Sequence, residues 1–315
     1  GLFQGLFAFY RLGRILKKVS FRGFLVRPVL EANIKKPQEQ IREVIKMASD
    51  QENIKDLVKE RYGARAKRVI NLTATEPEYD ESCACDGSTE SACCGVEDLD
   101  HAMLLYNEGQ LACLPAEAIA ASAGCGNPTA LAGLQAGERV LDLGSGGGID
   151  CFLASQQVGP TGTVMGLDMT QAMLELARSN KAKLGIENVE FIYGEMEKMP
   201  VPNNSVDVII SNCVVCLSPD KDSVFTESFR VLVSGGRIHL SDVMALTDDG
   251  PSVSSKEDWV SCTAGAEPVD VYRNRLVRAG FANIEFTREQ SDYLKDREGR
   301  PATNTAGYKV IAYKP

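Results

Sequence analysis

The chain has 315 residues, 44% apolar and 24% charged, which suits a globular protein with a sizeable core. Asp and Glu number 43 against 34 Lys and Arg, a net charge of −9 that argues against a general nucleic-acid partner, and no apolar run is long enough to span a bilayer. Ten scattered cysteines in so long a chain read as reduced thiols of a cytoplasmic protein rather than a disulfide scaffold, and two histidines leave little for imidazole-based zinc or triad chemistry.

Residues 1–36 stand apart. Arg11, Arg14, Lys17, Lys18, Arg22, Arg27, Lys35 and Lys36 face a single acid, Glu31, and Leu2, Phe3, Leu6, Phe7 and Leu12 supply an apolar face. The composition fits an organelle-targeting or membrane-surface helix, or a segment not native to the protein. Residues 37–69 read as helix opened by Pro37, with Gly63 ending a turn. Residues 71–96 read as a polar loop holding Cys83, Cys85, Cys93 and Cys94, and short helices follow to 125.

From residue 138 strands and helices alternate, which predicts an α/β fold on a mostly parallel sheet. Strands are expected at Arg139–Leu143, Thr163–Asp168, Val189–Tyr193, Val206–Ser211, Arg237–Asp242, Ile284–Arg288 and Tyr308–Tyr313. Helices are expected at Asp150–Val158, Gln171–Leu184, Phe225–Leu232 and Val269–Ala279. The fourth strand is apolar enough to be buried on both faces. No internal repeat is visible. The expected organisation is an extension at 1–36, a helical N-terminal region with a Cys-rich loop at 37–124, a cofactor-binding core at 125–245, and a C-terminal α+β portion at 246–315 that completes the sheet and carries a lid.

Gly144-Ser145-Gly146-Gly147-Gly148 follows the first strand and opens a helix, so the backbone can turn sharply and a ligand can approach closely. Asp168 ends the next strand, where an acid can accept hydrogen bonds from ribose hydroxyls. A dinucleotide or S-adenosylmethionine fits both features. Asp142, two residues before the first glycine, either meets the cofactor's cationic amino end or orients the loop.

Three further thiols call for an explanation. Cys213 lies at the carboxyl end of the fourth strand, where open α/β sheets bind ligands; Cys125 leads into the first strand and Cys262 follows the fifth. Each alone is most simply a small buried hydrophobe, as Cys113 and Cys151 are read. Converging, three thiolates suit a thiophilic ion with trigonal preference, such as arsenic(III). Zinc usually takes four ligands, often in close Cys pairs, and no fourth ligand is evident. Cys216, three residues past Cys213, either faces the site or packs in the core.

The stretch from about Gly124 to Asp242 resembles arsenite S-adenosylmethionine methyltransferases of the class I, Rossmann-like superfamily. The resemblance rests on Gly124-Cys125-Gly126-Asn127-Pro128, on Leu141-Asp142-Leu143-Gly144-Ser145-Gly146-Gly147-Gly148-Ile149-Asp150-Cys151, on Gly166-Leu167-Asp168-Met169-Thr170, on Ser211-Asn212-Cys213-Val214 and Leu217-Ser218-Pro219-Asp220-Lys221, and on Cys262-x-Ala264-Gly265-Ala266. It implies a seven-stranded, mostly parallel sheet. It implies a cofactor held by Asp142, Gly144, Ser145, Gly146, Asp168, Met169, Met196 and Glu197, with the stretch Gly194–Pro200 beside adenine. It implies arsenic(III) bound by Cys125, Cys213 and Cys262, and methylated in arsenic detoxification. An N-terminal cysteine, with Cys83 or Cys85 as its counterpart, then serves disulfide chemistry with glutathione or thioredoxin as reductant partner. Cys216 departs from the pattern, since many relatives carry Asn there, and the tail after Cys262 is short; both bear on the lid and later methylation steps. Oligomeric state is not readable. Rival readings keep the cofactor loop and change the chemistry: a carbon or oxygen methyltransferase for a small metabolite, a thiol-rich sensor that binds arsenite without turnover, and an NAD-linked oxidoreductase.

Overall fold

The computed structural model of the chain describes residues 51–71, 105–111, 114–122, 124, 127, 133–247, 265–289 and 304–315. The expectations for residues 1–36, for the loop at 72–96 with Cys83, Cys85, Cys93 and Cys94, and for Cys113, Cys125 and Cys262 fall outside these residues. Helix α1 covers 51–71 and α2 is Ala116–Ala121. The core then runs β1 Arg139–Leu143, α3 Ile149–Val158, β2 Thr163–Asp168, α4 Gln171–Leu184, β3 Val189–Tyr193 and β4 Val206–Asn212. It continues with α5 Lys221–Val231, β5 Leu232–Ala245, the two-residue β6 Glu267–Pro268, α6 Val269–Ala279, β7 Ala282–Arg288 and β8 Thr305–Tyr313.

One sheet in the order β3-β2-β1-β4-β5-β8-β7 organises the molecule, with β6 paired to β5. The pairs from β3 to β5 are parallel, and β8 is antiparallel to both β5 and β7. Seven strands form the path, as expected, and the two-residue β6 is an addition.

Strand parity decides what each face buries. In β1, Val140 joins Phe152, Leu174, Val208 and Ile210 on one face, whereas Leu141 and Leu143 join Ile209, Phe225 and Tyr272 on the other. Val208, Ile209 and Ile210 are all fully buried, which is why β4 reads as a continuous apolar run. Edge-to-face ring pairs lock both layers: Phe152 with Phe191 at 5.8 Å and Phe225 with Tyr272 at 5.0 Å.

Several boundaries depart from expectation; β7 and β8 begin two and three residues early. Helix α1 runs through Gly63, which was expected to end a turn, and on to residue 71, two past the expected 69. Val58, Ala66 and Val69 are buried along it, and that packing outweighs the cost of about 1 kcal/mol for a mid-helix glycine. Helix α5 starts four residues before its apolar pattern does, because Asp220 caps it, accepting from the Ser223 amide at 3.1 Å. Strand β5 extends both ways beyond Arg237–Asp242; β8 pairs with it from Arg237 to Ala245. Among the described residues no helix is long and apolar enough to cross a membrane.

Phe152 is the ring on which α3 seats against the sheet, with no exposed surface. Phe152→Ala is expected to cost about 3–5 kcal/mol in urea unfolding with an unchanged denaturant slope.

Candidate active site

Strand order reverses between β1 and β4, and the chain leaves these neighbours in opposite directions, so a cleft opens beyond their carboxyl ends. It holds about 850 Å³ of space between atoms, open solvent included. Its floor is the loop 144–147. The Gly144 and Ser145 amides donate to Leu167 O at 2.8 and 3.0 Å, tying the loop to β2. Gly144 has φ +71°, and a Cβ there would lie 2.5 Å from Val214, so conformation and close approach both require glycine.

Asp168 braces the same loop. Its carboxylate accepts from the Gly146 amide at 2.9 Å and the Thr170 amide at 2.7 Å. Burial nonetheless raises its carboxyl above the usual range, with the backbone hydrogen bonds opposing. Met169, Met196 and Glu197 also line the cleft. Glu197 accepts from the Ser218 hydroxyl at 2.6 Å and lies 3.4 Å from Lys55.

Two observations test whether a nucleotide cofactor fits. Ser145 Oγ is buried with no hydrogen-bond partner, and Gly146 faces open space where a Cβ would meet nothing within 4 Å. An orphaned hydroxyl beside a bare stretch of backbone is what a polar ligand would fill.

Asp142 does not line the cleft. Strand parity turns it to the Val140 face under α3, where it accepts from the Cys151 thiol at 3.2 Å. Burial, then the charge of Asp150, raises its carboxyl well above the usual range. Cys151 is fully buried in the core, and burial raises its thiol pKa well above the usual value, so it is packed rather than reactive. Of this buried pair it is Asp150, given no role on sequence grounds, that faces the cleft. Tyr106 donates to it at 3.0 Å and Asn212 Nδ2 at 3.2 Å. Burial pushes Asp150 up to about 6, although both hydrogen bonds pull it down.

Helix α1 supplies a wall that the sequence reading also missed. Val58 and Tyr62 line the cleft, and Lys55 and Lys59 bond Glu195 at 2.8 and 3.2 Å. The Lys55 hydrogen bond holds the Glu195 carboxyl below its usual range, against a smaller opposing effect of burial.

Cys213 lies at the mouth, on the residue after β4, and lines the cleft while 3% exposed. Its φ is +59°, and its amide donates to Ser241 O at 2.7 Å. A non-glycine residue held there stores strain, a state that concentrates at functional sites. Cys216, on the 3₁₀ turn Val215–Leu217, is buried and does not line the cleft. Gly124 packs so tightly on Asn212 that a Cβ would sit 2.3 Å from its amide. Ala266 is buried in one cluster with Cys213, Cys216, Leu217 and Val243. His239 is buried away from the cleft, and burial lowers it to about 4, so it supplies no base there.

A glycine loop at the switch point of this sheet defines a Rossmann-like, class I methyltransferase domain. A family model described as a methyltransferase domain matches residues 134–294. The chain is 40% identical over 252 residues to an arsenite methyltransferase of Halobacterium salinarum, covering 78% of this chain and 62% of that protein. It is 36% identical over 218 residues to an arsenite methyltransferase of Aquipseudomonas alcaligenes, covering 65% of this chain and 60% of that protein. An arsenic(III) S-adenosylmethionine methyltransferase from Chlamydomonas reinhardtii, known from its crystal structure, is 36% identical with a TM-score of 0.56, over 65% of this chain and 72% of that one. The chain belongs to the arsenite S-adenosylmethionine methyltransferase family. It spans about three fifths of the length of the curated relatives with the longest matches.

The Lys55 and Lys59 contacts tie α1 to the segment after β3. Lys55→Met is expected to speed amide exchange across 51–71 by roughly five- to tenfold, about 1 kcal/mol of local opening, with exchange in β1 and β4 unchanged.

Proposed function

We propose that this chain transfers a methyl group from S-adenosylmethionine to trivalent arsenic held by Cys125, Cys213 and Cys262. One observation carries the reading. Described residues near the two outer cysteines in sequence pack around Cys213: Gly124 against Asn212, and Ala266 in the same buried cluster as Cys213. Residue 125 is one Cα step, about 3.8 Å, from Gly124, and residue 262 is at most about 14 Å of chain from Ala266. That connectivity supports the reading in which the three thiols meet at the mouth of the cleft.

S-adenosylmethionine, when bound, supplies an electrophilic methyl group on a sulfonium. Gly144, Ser145, Gly146, Asp168, Met169, Met196 and Glu197 would hold it, and Asp150 is the carboxylate available to its cationic amino end. The thiolates keep arsenic trivalent, and its lone pair is the nucleophile. Arsenic needs no proton removed, which agrees with a cleft whose described lining contains no histidine. Fixing nucleophile and methyl at near-attack distance is worth up to about 7–11 kcal/mol. Methylation formally takes arsenic from +3 to +5. A thiol pair that includes Cys83 or Cys85 returns it to +3 by losing two electrons and two protons as it closes to a disulfide, and glutathione or thioredoxin reopens that bond. The physiological role is arsenic detoxification.

Cys213→Ser is expected to lower methylated arsenic to background in speciation chromatography while S-adenosylmethionine still binds; wild-type turnover in this variant overturns the assignment. Affinity for S-adenosylmethionine should fall as pH drops below about 6, approaching tenfold per unit, because a proton on Asp150 competes with the cofactor's cation. Asp150→Asn should flatten that profile in equilibrium binding from pH 5 to 8.

A further inference from the structure

Cys216 has no role in the reading above, and its surroundings give it one. Cys213-Val214-Val215-Cys216 is a C-x₂-C arm, the spacing with which many zinc sites begin. The turn Val215–Leu217 folds the arm back, so that Cys216 Sγ lies 3.4 Å from Cys213 O. Asp242 arrives from β5. One of its carboxylate oxygens and the two sulfurs all lie within 4.8 Å of one another, and all three residues are buried.

The carboxylate is already aimed. Asp242 Oδ1 accepts from the Val243 amide at 3.0 Å and Oδ2 from the Tyr272 hydroxyl at 3.1 Å, which fixes the direction of both oxygens. Hydrogen bonds of this kind orient the ligands of metal sites. Lys221, also buried, lies within electrostatic range of Glu267, Cys216 and Asp242, and Glu267 is itself neutralised by its ion pair with Arg275. Two thiolates and a carboxylate carry three negative charges. A divalent cation together with the Lys221 ammonium balances them, whereas a trivalent ion would leave a positive charge buried.

We propose that Cys213, Cys216 and Asp242 form a buried site for a thiophilic divalent cation of the zinc type, and are the three ligands that the described residues supply. Zinc–sulfur bonds of about 2.3 Å place tetrahedral ligands roughly 3.8 Å apart, so the three ligands close in by no more than about 1 Å. The site goes beyond arsenic methylation and is independent of it except in sharing Cys213. An ion there occupies the thiolate that the arsenical needs, so zinc and arsenite compete for one sulfur.

The test uses the full chain, stripped with a chelator and kept reduced with a phosphine. Zinc is added and the thiols are alkylated over time. Trypsin releases the peptide Met199–Lys221, whose only cysteines are Cys213 and Cys216, so mass spectrometry reads these two apart from the other eight. Zinc at ten times its dissociation constant is expected to slow alkylation of both thiols by roughly tenfold. Cys216→Ser and Asp242→Asn, each close in shape to the native residue, should remove most of the protection of Cys213. Absence of zinc protection in the wild type, or protection of Cys213 that survives both substitutions, overturns the site. The readout needs no turnover, so a chain that protects these thiols but methylates nothing overturns the methylation reading and supports this one.

Discussion

Parallel pairing of β1 between β2 and β4 is the constraint on which the rest depends. Adjacent parallel strands send their connections to opposite faces at the point where the order reverses, and the backbone groups at their ends are left to find other partners. Leu167 O takes the Gly144 and Ser145 amides, Leu143 O takes the Ser211 hydroxyl at 3.0 Å, and Asp168 takes the Gly146 amide. These few bonds hold the glycine loop, the end of β2 and the end of β4 as one rigid rim. The helices and the hairpin β7–β8 bury the two faces behind that rim, and the cleft is what they leave uncovered.

Electrostatics sharpens the division of labour along the rim. Asp142 and Asp150 are both buried in the same neighbourhood, but they face different ways. The one beneath α3 meets a thiol and stays structural; the one facing the cleft meets a phenol and an amide that can hand it over to a ligand. Burial raises both carboxyls, and the charge of Asp150 raises Asp142 further, so a cation arriving at the cleft relieves the pair. The empty-handed hydroxyl of Ser145 is the neutral counterpart of the same unmet demand.

Much of this was legible in the residues. The spans of β1, β2, α4, β3 and α6 are where alternation, helical period and turn glycines place them, because each is bounded by a strong punctuator and buries a simple pattern. Cys213 at the end of β4 follows from strand order alone. The direction of Asp142 does not follow from its position before the loop, since one step of strand parity decides it. Asp150 was hidden because its partners, Tyr106 and Asn212, lie 44 and 62 positions away along the chain. Gly63 misled for a similar reason: the contacts that hold α1 through it come from the far side of the fold. Local signals reach as far as local interactions do; the site's polar network is assembled from long-range ones.

The left-handed backbone at Cys213 has a consequence for how this protein can change. Glycine would relieve the strain of that conformation but would also empty the space that the side chain fills in its buried cluster, and asparagine would bring a polar amide into it. Backbone comfort and core packing therefore pull on residue 213 in opposite directions, and cysteine, small and apolar, is a compromise between them. The chain can leave this residue only by a change that answers both demands at once, which ties the shape of the turn after β4 to the size of one side chain.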